Sequence, residues 1–249
     1  MTEKLITTTR ENGVFTITMN RFEKKNALSL EMYRQLIHAY QTFEEDDSLL
    51  VAVVKGNHEC FSAGNDLKDF LAGGDLNKSH PTIAFIYQMT RMTKPIIAAV
   101  AGPAVGIGTT MLLHCDLVYA AENAIFQLPF CQLGLCPEAG SSYLLSQLAG
   151  HQKAFELLVL GERFDAQTAK EIGLVANVMH VDNVIEAAEN RAKQIVALPT
   201  DAVKRTKMLL NRGKYEKLQQ VLDDEVAHFS DLLQSDDCQT ILNKFFTKK

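Results

Sequence analysis

One glutamate stands out among the residues whose type and setting could do chemistry. Glu138 lies in the stretch LGLCPEAGSSYLL, between apolar residues and a small-residue turn that opens a predicted helix. Such a carboxylate is either a solvated loop charge or a base held away from water. Neighbours such as Phe130 and Leu135 would raise its pKa by desolvation, which prepares a carboxylate to act as a general base.

Two short loops could supply hydrogen-bond donors to a developing negative charge. The stretch AVAGPAVGIGTTM places Gly106 and Ile107 at the start of a predicted helix, where backbone N–H groups lack partners within the helix. In CFSAGNDLKDF, Gly64 and Asn65 suit a tight turn and Asp66 can cap the following helix. Either loop alone is more typical of a plain strand-to-helix connection. Two of them in one chain favour an oxyanion hole.

Several other catalytic motifs are absent from the sequence. The run around Gly106 and Gly108 lacks the third glycine of a dinucleotide fingerprint, and no GxxxxGKS/T phosphate loop occurs. No GxSxG motif presents a nucleophilic serine, so a serine hydrolase is disfavoured. His114 precedes Cys115 and Asp116, and we expect it to pack against the core without a catalytic role.

The composition favours a protein that binds a small molecule. The 249 residues, 47% of them hydrophobic, are enough for one large core. The formal net charge of -5 offers no basic surface to nucleic acid, and no polybasic run or long apolar stretch indicates a membrane partner. The N-terminal MTEKLITTTRENGVF has neither an apolar signal core nor an Arg-rich leader, so we expect a cytoplasmic protein.

The cysteines are scattered and form no CxxC pair. They therefore predict neither a disulfide framework nor a zinc site, and no metal ion or other cofactor is expected. We expect buried, reduced thiols at the five positions, which are Cys60, Cys115, Cys131, Cys136 and Cys238.

Alternating strand and helix patterns must position these residues. Two β-rich runs flank Glu11, Asn12 and Gly13, which is typical of a hairpin. A helix with one apolar face follows, with Ser29 as its N-cap. Buried strands are predicted at LLVAVVKG, KPIIAAVAG and DLVYAA, with helical segments between them. This alternation predicts an α/β core.

The chain is predicted to be mostly helical from about Ser141 onwards. Beyond Pro199 only long amphipathic helices are predicted, and their apolar faces are too wide for a solitary hairpin. Pro199 therefore marks a soft boundary between a catalytic core, residues 1–198, and a C-terminal helical region, residues 199–249. We expect that region to pack on the core or on a neighbouring subunit.

Four segments, in chain order, resemble the crotonase superfamily of acyl-CoA enzymes: FSAGNDL, KPIIAAVAGPAVGIG, CDLVYAAENAIFQLPF and LGLCPEAGSS. The resemblance runs from the first hairpin to the last helix. It implies a crotonase-like spiral of ββα units and a C-terminal helical region that forms homotrimers or dimers of trimers. It also implies an acyl-CoA thioester substrate, so that coenzyme A belongs to the substrate and no separate cofactor is needed.

The resemblance further implies roles for individual residues. The backbone N–H groups of Ala63 and Ile107 would hold the thioester oxygen. Phe245 and Lys248 match C-terminal contacts to coenzyme A that a neighbouring subunit often supplies. The residues implied in binding coenzyme A are Lys24, Ser62, Ala63, Gly64, Asn65, Asp66, Leu67, Gly106, Phe245 and Lys248.

The chain departs from the hydratases of this superfamily at two positions. Those enzymes carry one glutamate in the helix after the glycine turn and another after the proline of a QPE segment, and the pair activates water. The same positions here are Thr110 and Phe130. Glu138 remains, at the place where the Δ3,Δ2-enoyl-CoA isomerases carry their glutamate. One carboxylate is enough to remove a proton from C2 and return one at C4.

The resemblance implies a Δ3,Δ2-enoyl-CoA isomerase of fatty acid β-oxidation. Two alternatives stay open here: a crotonase-type isomerase for ring-derived or otherwise unusual acyl chains, and a non-catalytic acyl-CoA-binding module. The presence of Glu138 argues against the module. The preferred chain length depends on an acyl pocket that residues 71–89 are expected to shape in part.

Overall fold

Two sheets form the centre of the molecule. The computed structural model describes residues 4–72 and 75–247, with the backbone alone for residues 70–72 and 245–247. The strands of this described part are β1 (Ile6–Glu11), β2 (Val14–Met19), β3 (Val51–Lys55), β4 (Ile96–Val100), β5 (Pro103–Val105), β6 (Leu117–Ala121), β7 (Ile125–Gln127), β8 (Phe164–Asp165) and β9 (Asn177–Met179). The larger sheet has the order β1-β2-β3-β4-β6-β9, and the smaller sheet has the order β5-β7-β8.

Helices connect the strands and form the whole C-terminal part of the chain. Short 3-10 turns lie at Phe22–Lys24, Met111–His114, Cys131–Leu133 and Val181–Asn183, and a π-helical turn lies at Glu156–Leu160. The α-helices are α1 (Leu30–Glu45), α2 (Leu67–Ala72), α3 (Pro81–Thr90), α4 (Ile107–Thr110), α5 (Ser141–Ala149), α6 (His151–Phe155), α7 (Ala166–Glu171), α8 (Val184–Val196), α9 (Thr200–Leu210), α10 (Lys214–Leu233) and α11 (Asp236–Thr247).

The chain repeats one pattern as it crosses the larger sheet. A strand of that sheet is followed by a short strand of the smaller sheet and then by a helix, as in β4-β5-α4 and β6-β7-α5. Strands β2, β3, β4, β6 and β9 are parallel neighbours, whereas β1 pairs with β2 as an antiparallel hairpin. The predicted α/β spiral of ββα units is therefore confirmed.

The first hairpin and the first helix form where the sequence predicts them. Strands β1 and β2 pair in register, which leaves Asn12 and Gly13 as the turn. Ser29 caps α1, because its hydroxyl oxygen accepts a hydrogen bond of 3.2 Å from the backbone N–H of Met32. This bond satisfies one of the N–H groups that the first turn of a helix leaves without a partner.

Strands β5, β7, β8 and β9 are not evident from the sequence. Each has only two or three residues, which is too few for a two-residue alternation of apolar and polar side chains to be recognised. Strands β8 and β9 interrupt the region that is predicted as mostly helical. Their pairing with β7 and β6 depends on contacts between distant parts of the chain.

One hydrophobic core includes both the N-terminal strands and the C-terminal helices. Phe15 of β2 and Phe43 of α1 belong to it, and so do Leu222 and Phe229 of α10 and Leu242 of α11. The last two helices therefore pack on the core of their own chain, which is one of the two arrangements expected. The segments on either side of Pro199 share this core, and the division of the chain at that residue stays a prediction.

Helix α9 presents a different surface. Its residues Met208, Leu209 and Leu210 are 62%, 58% and 79% exposed, so a row of large apolar side chains faces away from the core. In the part of the chain that the structure describes, none of the helices has the length and apolar character needed to cross a membrane.

Candidate active site

A cleft of about 820 Å³ opens between the two loops that the sequence singles out. The loop before α2 and the loop before α4 form two of its walls, and Phe130 and Leu135 form part of a third. The structure thus brings most of the predicted residues together. Those that line the cleft are Lys24, Ala63, Gly64, Asn65, Asp66, Leu67, Gly106 and Ile107.

Ser62 supports the cleft from behind and does not line it. Its side chain is fully buried, its hydroxyl donates to the carbonyl oxygen of Asn26 at 2.9 Å, and its oxygen accepts from the N–H of Gly64 at 3.2 Å. The predicted contact between Ser62 and coenzyme A is therefore corrected. The side chain points inward and holds the loop whose other residues face the cleft.

Two predicted C-terminal residues cannot be placed in the cleft. Phe245 belongs to α11, but the structure describes only the backbone of this residue, and Lys248 lies outside the described residues. Their roles stay predictions.

Basic side chains that the sequence did not single out also line the cleft. Arg21, Lys68 and Arg163 join Lys24 there. Arg21 donates to a carboxylate oxygen of Asp66 at 2.8 Å, and the other oxygen of Asp66 accepts from the N–H of Lys68 at 3.1 Å. This second bond is the helix cap predicted for Asp66. Guanidinium and ammonium groups that line a cleft suit phosphate groups.

The two predicted oxyanion donors differ in the structure. The N–H of Ala63 donates to the carbonyl oxygen of Lys25 at 2.9 Å, so it is already engaged. Ile107 is the first residue of α4, and its N–H therefore has no carbonyl one turn earlier in that helix. Gly106 before it has a φ of 54°, in the left-handed region that glycine adopts without strain.

The oxyanion role of Ala63 therefore stays a prediction. Of the two predicted donors, the N–H of Ile107 is the one left available beside the cleft in this conformation. The N–H of Ala63 reaches a thioester oxygen only if it gives up or shares its bond to Lys25.

Glu138 lines a narrow inner cavity of about 20 Å³ that adjoins the cleft. The two spaces share Asn65 and Phe229 as lining residues, and the hydroxyl of Tyr33 fixes Asn65 by donating to its side-chain oxygen. The apolar segment expected to shape an acyl pocket does line this cavity. Its lining residues are Asn65, Leu76, Thr82, Ile83, Ile86, Glu138, Ala139, Glu225, Val226 and Phe229.

Glu138 is held out of water, as its sequence setting predicts. The residue is 8% exposed, and burial raises the pKa of its carboxyl group to about 8, against the opposing effect of a hydrogen bond from Thr110. The hydroxyl of Thr110 donates to Oε1 of Glu138 at 2.5 Å. The other oxygen, Oε2, is buried and receives no hydrogen bond from any described residue. One oxygen is thus oriented, and the other is free to accept a proton.

Thr110 has a role that sequence reasoning missed. From the sequence it counts only as the replacement of a hydratase carboxylate. In the structure its hydroxyl orients Glu138 and favours the ionised form of that carboxylate, because a hydrogen bond to the charged form lowers a carboxyl pKa.

A second buried carboxylate lies beside the first and was also missed. Glu225 of α10 accepts hydrogen bonds from the N–H of Gly140 at 2.6 Å and from the N–H and hydroxyl of Ser142 at 3.0 Å and 2.5 Å. Burial raises its pKa, and these three bonds oppose that effect. Glu225 is 85 residues from Gly140 along the chain, so no local pattern reveals the contact.

His114 contacts the turn that follows Glu138, and its lack of a catalytic role stays a prediction. Burial lowers the pKa of its imidazole to about 4, so the ring is neutral near neutral pH. Its Nε2 lies 2.8 Å from the carbonyl oxygen of Ala139. Because a carbonyl oxygen only accepts, Nε2 carries the proton and donates.

The cysteines are free thiols. Cys60 and Cys238 are buried, whereas Cys131 is exposed, which corrects the expectation that all five are buried. Cys131 begins the 3-10 turn Cys131–Leu133, a surface segment none of whose residues is buried.

Sequence and structure comparisons place this arrangement in a known family. A family model described as enoyl-CoA hydratase/isomerase matches residues 9–249, nearly the whole chain. The chain belongs to the enoyl-CoA hydratase/isomerase family. Enoyl-CoA delta isomerase 2 of Rattus norvegicus is 34% identical over 252 residues, which cover 99% of this chain and 64% of that relative. The chain thus spans less than two thirds of the length of that relative.

Other relatives in the family are similar over their whole length. The 2,3-dehydroadipyl-CoA hydratase of Escherichia coli (strain K12) is 32% identical over 243 residues, covering 96% of this chain and 94% of the hydratase. The structure of Pseudomonas aeruginosa OdaA superposes with a TM-score of 0.96 at 38% identity and covers 99% of this chain and 100% of that one. Both isomerases and hydratases are thus similar to this chain, and family membership does not choose between the two reactions.

Proposed function

We propose that this member of the enoyl-CoA hydratase/isomerase family is a Δ3,Δ2-enoyl-CoA isomerase, which converts 3-enoyl-CoA to trans-2-enoyl-CoA. One observation carries the proposal. Of the two buried carboxylates that line the inner cavity, Glu138 is the one with an oxygen that accepts no hydrogen bond from the described residues, and Thr110 stands where hydratases carry a second acid. A double-bond shift needs one group that accepts and returns a proton, and it needs no water.

The proposed reaction uses Glu138 twice. Ionised Glu138 removes a proton from C2 through Oε2, and the electron pair of the C–H bond moves into a dienolate with negative charge on the thioester oxygen. The N–H of Ile107 stabilises that oxygen. Protonated Glu138 then delivers the proton to C4, the double bond settles between C2 and C3, and the carbonyl is restored. A pKa of about 8 suits both steps, because it lies near neutral pH.

The bonding of the second carboxylate supports an isomerase over a hydratase. Glu225 has both oxygens engaged, one by Gly140 and the other by Ser142. A carboxylate that already accepts three hydrogen bonds has little acceptor capacity left with which to orient and activate water. Phe130 also lines the cleft at the position of the other hydratase acid, and its ring favours the exclusion of water.

The cleft supports coenzyme A thioesters as the substrate class. Arg21, Lys24 and Arg163 offer charge for the phosphate groups. Phe130, Leu135 and Phe229 offer apolar walls in the same cleft for the acyl chain. This combination also supports the role in fatty acid β-oxidation implied by the resemblance. An isomerase for ring-derived acyl chains is the second candidate within the same chemistry.

We also propose that the chain assembles as a homotrimer or a dimer of trimers. The exposed apolar side chains of Met208, Leu209 and Leu210 on α9 support it, because a contiguous apolar patch of this kind is typical of an interface. Light scattering tests it: we expect the mass of a trimer or hexamer. A stable monomer at micromolar concentration would contradict the assembly.

The test of the proposed reaction is a substrate panel. The protein is incubated with 3-enoyl-CoA thioesters of varied chain length, and the products are separated by liquid chromatography. We expect trans-2-enoyl-CoA to accumulate. If the protein retains the thioesters on a gel-filtration column but leaves them unchanged, it is a binding module and the proposed function is wrong.

A further inference from the structure

The turn that follows Glu138 has an unusual backbone. Ala139 has a φ of 57° and Gly140 a φ of 72°, so two successive residues lie in the left-handed region. An alanine rarely adopts that conformation, because its Cβ clashes with the backbone, and it persists only where surrounding contacts hold it. The position of Glu138 therefore depends on whatever fixes this turn.

The turn is fixed from two sides. His114 donates to the carbonyl oxygen of Ala139 at 2.8 Å. On the other side Glu225 accepts from the N–H of Gly140 and from the N–H and hydroxyl of Ser142, at the first turn of α5. Hydrogen bonds to a charged acceptor are stronger than neutral ones, so the three bonds to Glu225 are the larger restraint.

We propose that Glu225 is a positioning residue for catalysis: through Gly140 and Ser142 it holds the left-handed turn that aims the free oxygen of Glu138 at the acyl chain. The inference rests on the proposed isomerase function. It also assigns a catalytic duty to the C-terminal helical region, since Glu225 belongs to α10, which the sequence treats only as an oligomerisation segment.

Glu225 also places a negative charge next to Glu138. The titratable groups that face Glu138 are Tyr33 from α1, His114, Cys136 from its own loop and Glu225. Near neutral pH the first three are uncharged: burial raises the pKa of Tyr33 well above its usual value and that of Cys136 to about 11, and it lowers that of His114 to about 4. Burial raises the pKa of Glu225, but the three hydrogen bonds that it accepts favour its charged form.

The test is the variant Glu225→Gln with Glu216→Gln as its matched control. Both glutamates belong to α10, but Glu216 is exposed. Glutamine keeps the shape of the side chain but loses the charge, and its NH2 group cannot accept from an N–H. We expect Glu225→Gln to lower kcat on 3-enoyl-CoA by about ten- to a hundredfold, the range typical when a catalytic group is displaced by about 1 Å. The KM of Glu225→Gln should stay close to that of the parent, and so should both kcat and KM of Glu216→Gln.

The pH profile separates positioning from a general loss of structure. Without the charge of Glu225, ionised Glu138 is repelled less, so its pKa falls. The acidic limb of kcat/KM should therefore move to lower pH in Glu225→Gln and stay in place in Glu216→Gln. Parental kcat together with a parental limb in Glu225→Gln would overturn the proposal, and so would a parallel loss of kcat and substrate binding.

A second variant decides the matter if Glu225→Gln does not fold. Ser142→Ala removes the hydroxyl donor to Glu225 at an exposed position and keeps both carboxylates. A kcat below that of the parent, with an unchanged KM, supports the proposal. A kcat equal to that of the parent contradicts it. The parent protein is the reference throughout. If the parent itself does not isomerise 3-enoyl-CoA, it is the proposed function that fails.

Discussion

Two buried carboxylates lie side by side in this chain, and they differ in how their oxygens are bonded. Glu138, in the loop before α5, accepts one hydrogen bond from Thr110 and keeps Oε2 free. Glu225, on α10, accepts three hydrogen bonds that engage both of its oxygens. Burial raises the pKa of both groups.

Two carboxylates that are buried alike can therefore have different roles, depending on the hydrogen bonds that their oxygens accept. A carboxylate whose two oxygens both accept hydrogen bonds from neighbouring backbone can hold that backbone, but it has little acceptor capacity left for a substrate. A carboxylate with a free oxygen in a dry site is a base. The first supports the turn that carries the second, so the two roles depend on each other.

The largest effect is expected from Glu138→Gln. The amide keeps the shape of the side chain but cannot accept the C2 proton, so kcat on 3-enoyl-CoA should fall by about two orders of magnitude or more. Binding of an acyl-CoA ester, measured by titration, should stay close to that of the parent. Glu216→Gln on the surface of α10 is the control. A variant that kept more than about a tenth of parental kcat would show that another group is the base, because such a loss falls below the usual contribution of general base catalysis.

The dependence of kcat/KM on pH in the parent should follow the ionisation of Glu138. Only ionised Glu138 can remove a proton, and its pKa is about 8. We therefore expect kcat/KM to rise with pH by about tenfold per unit below that value and to level off above it. Steady-state kinetics between pH 5 and 9 measures this limb. A profile that is flat down to pH 5 would mean that the base is a carboxylate with an ordinary pKa.

Thr110→Val removes the hydrogen bond that Glu138 accepts from the Thr110 hydroxyl. Without that bond the charged form of Glu138 is less stable, so its pKa rises and the acidic limb moves to higher pH. At pH 7 we expect kcat/KM to fall by about tenfold. Thr109→Val is a neighbouring control in the same helix, because Thr109 donates to the carbonyl oxygen of Ala104 and not to Glu138. A limb that moves equally in both variants would contradict the role of Thr110.

The smallest effect concerns stability. The pKa of Glu138 is about 8 in the folded chain and 4.5 for an ordinary glutamate, so the folded state holds an extra proton between these values. The contribution of this group to stability is therefore full below pH 4.5 and is lost as the pH rises through 8. Glu138→Gln lacks this loss. We expect the Tm of the variant to rise relative to that of the parent between pH 4.5 and 8, and an unchanged difference would place Glu138 in contact with water.

The features that could be predicted from the sequence are those that local patterns encode. The hairpin at Gly13, the cap at Ser29 and the dry setting of Glu138 follow from residues within a few positions of each other. Four marked segments were enough to indicate the crotonase-like spiral. The roles of Glu225 and Thr110 could not be predicted, because each depends on a contact between distant residues.

Ala63 shows the same limit for backbone groups. Its place in the loop suggests a free N–H, but whether that group is free depends on the carbonyl oxygen of Lys25, 38 residues earlier, which comes within 2.9 Å only after folding. Strands β8 and β9 were missed for a related reason, since strands of two or three residues are defined by their partners and not by their own sequence.

The central claim is that one free carboxylate shifts a double bond and adds no water. The most direct measurement incubates the parent with trans-2-enoyl-CoA and with 3-enoyl-CoA and follows the mass and retention of the products. The account predicts that the two substrates converge on the same pair of isomers with no gain in mass. Efficient formation of 3-hydroxyacyl-CoA, heavier by one water, would contradict it.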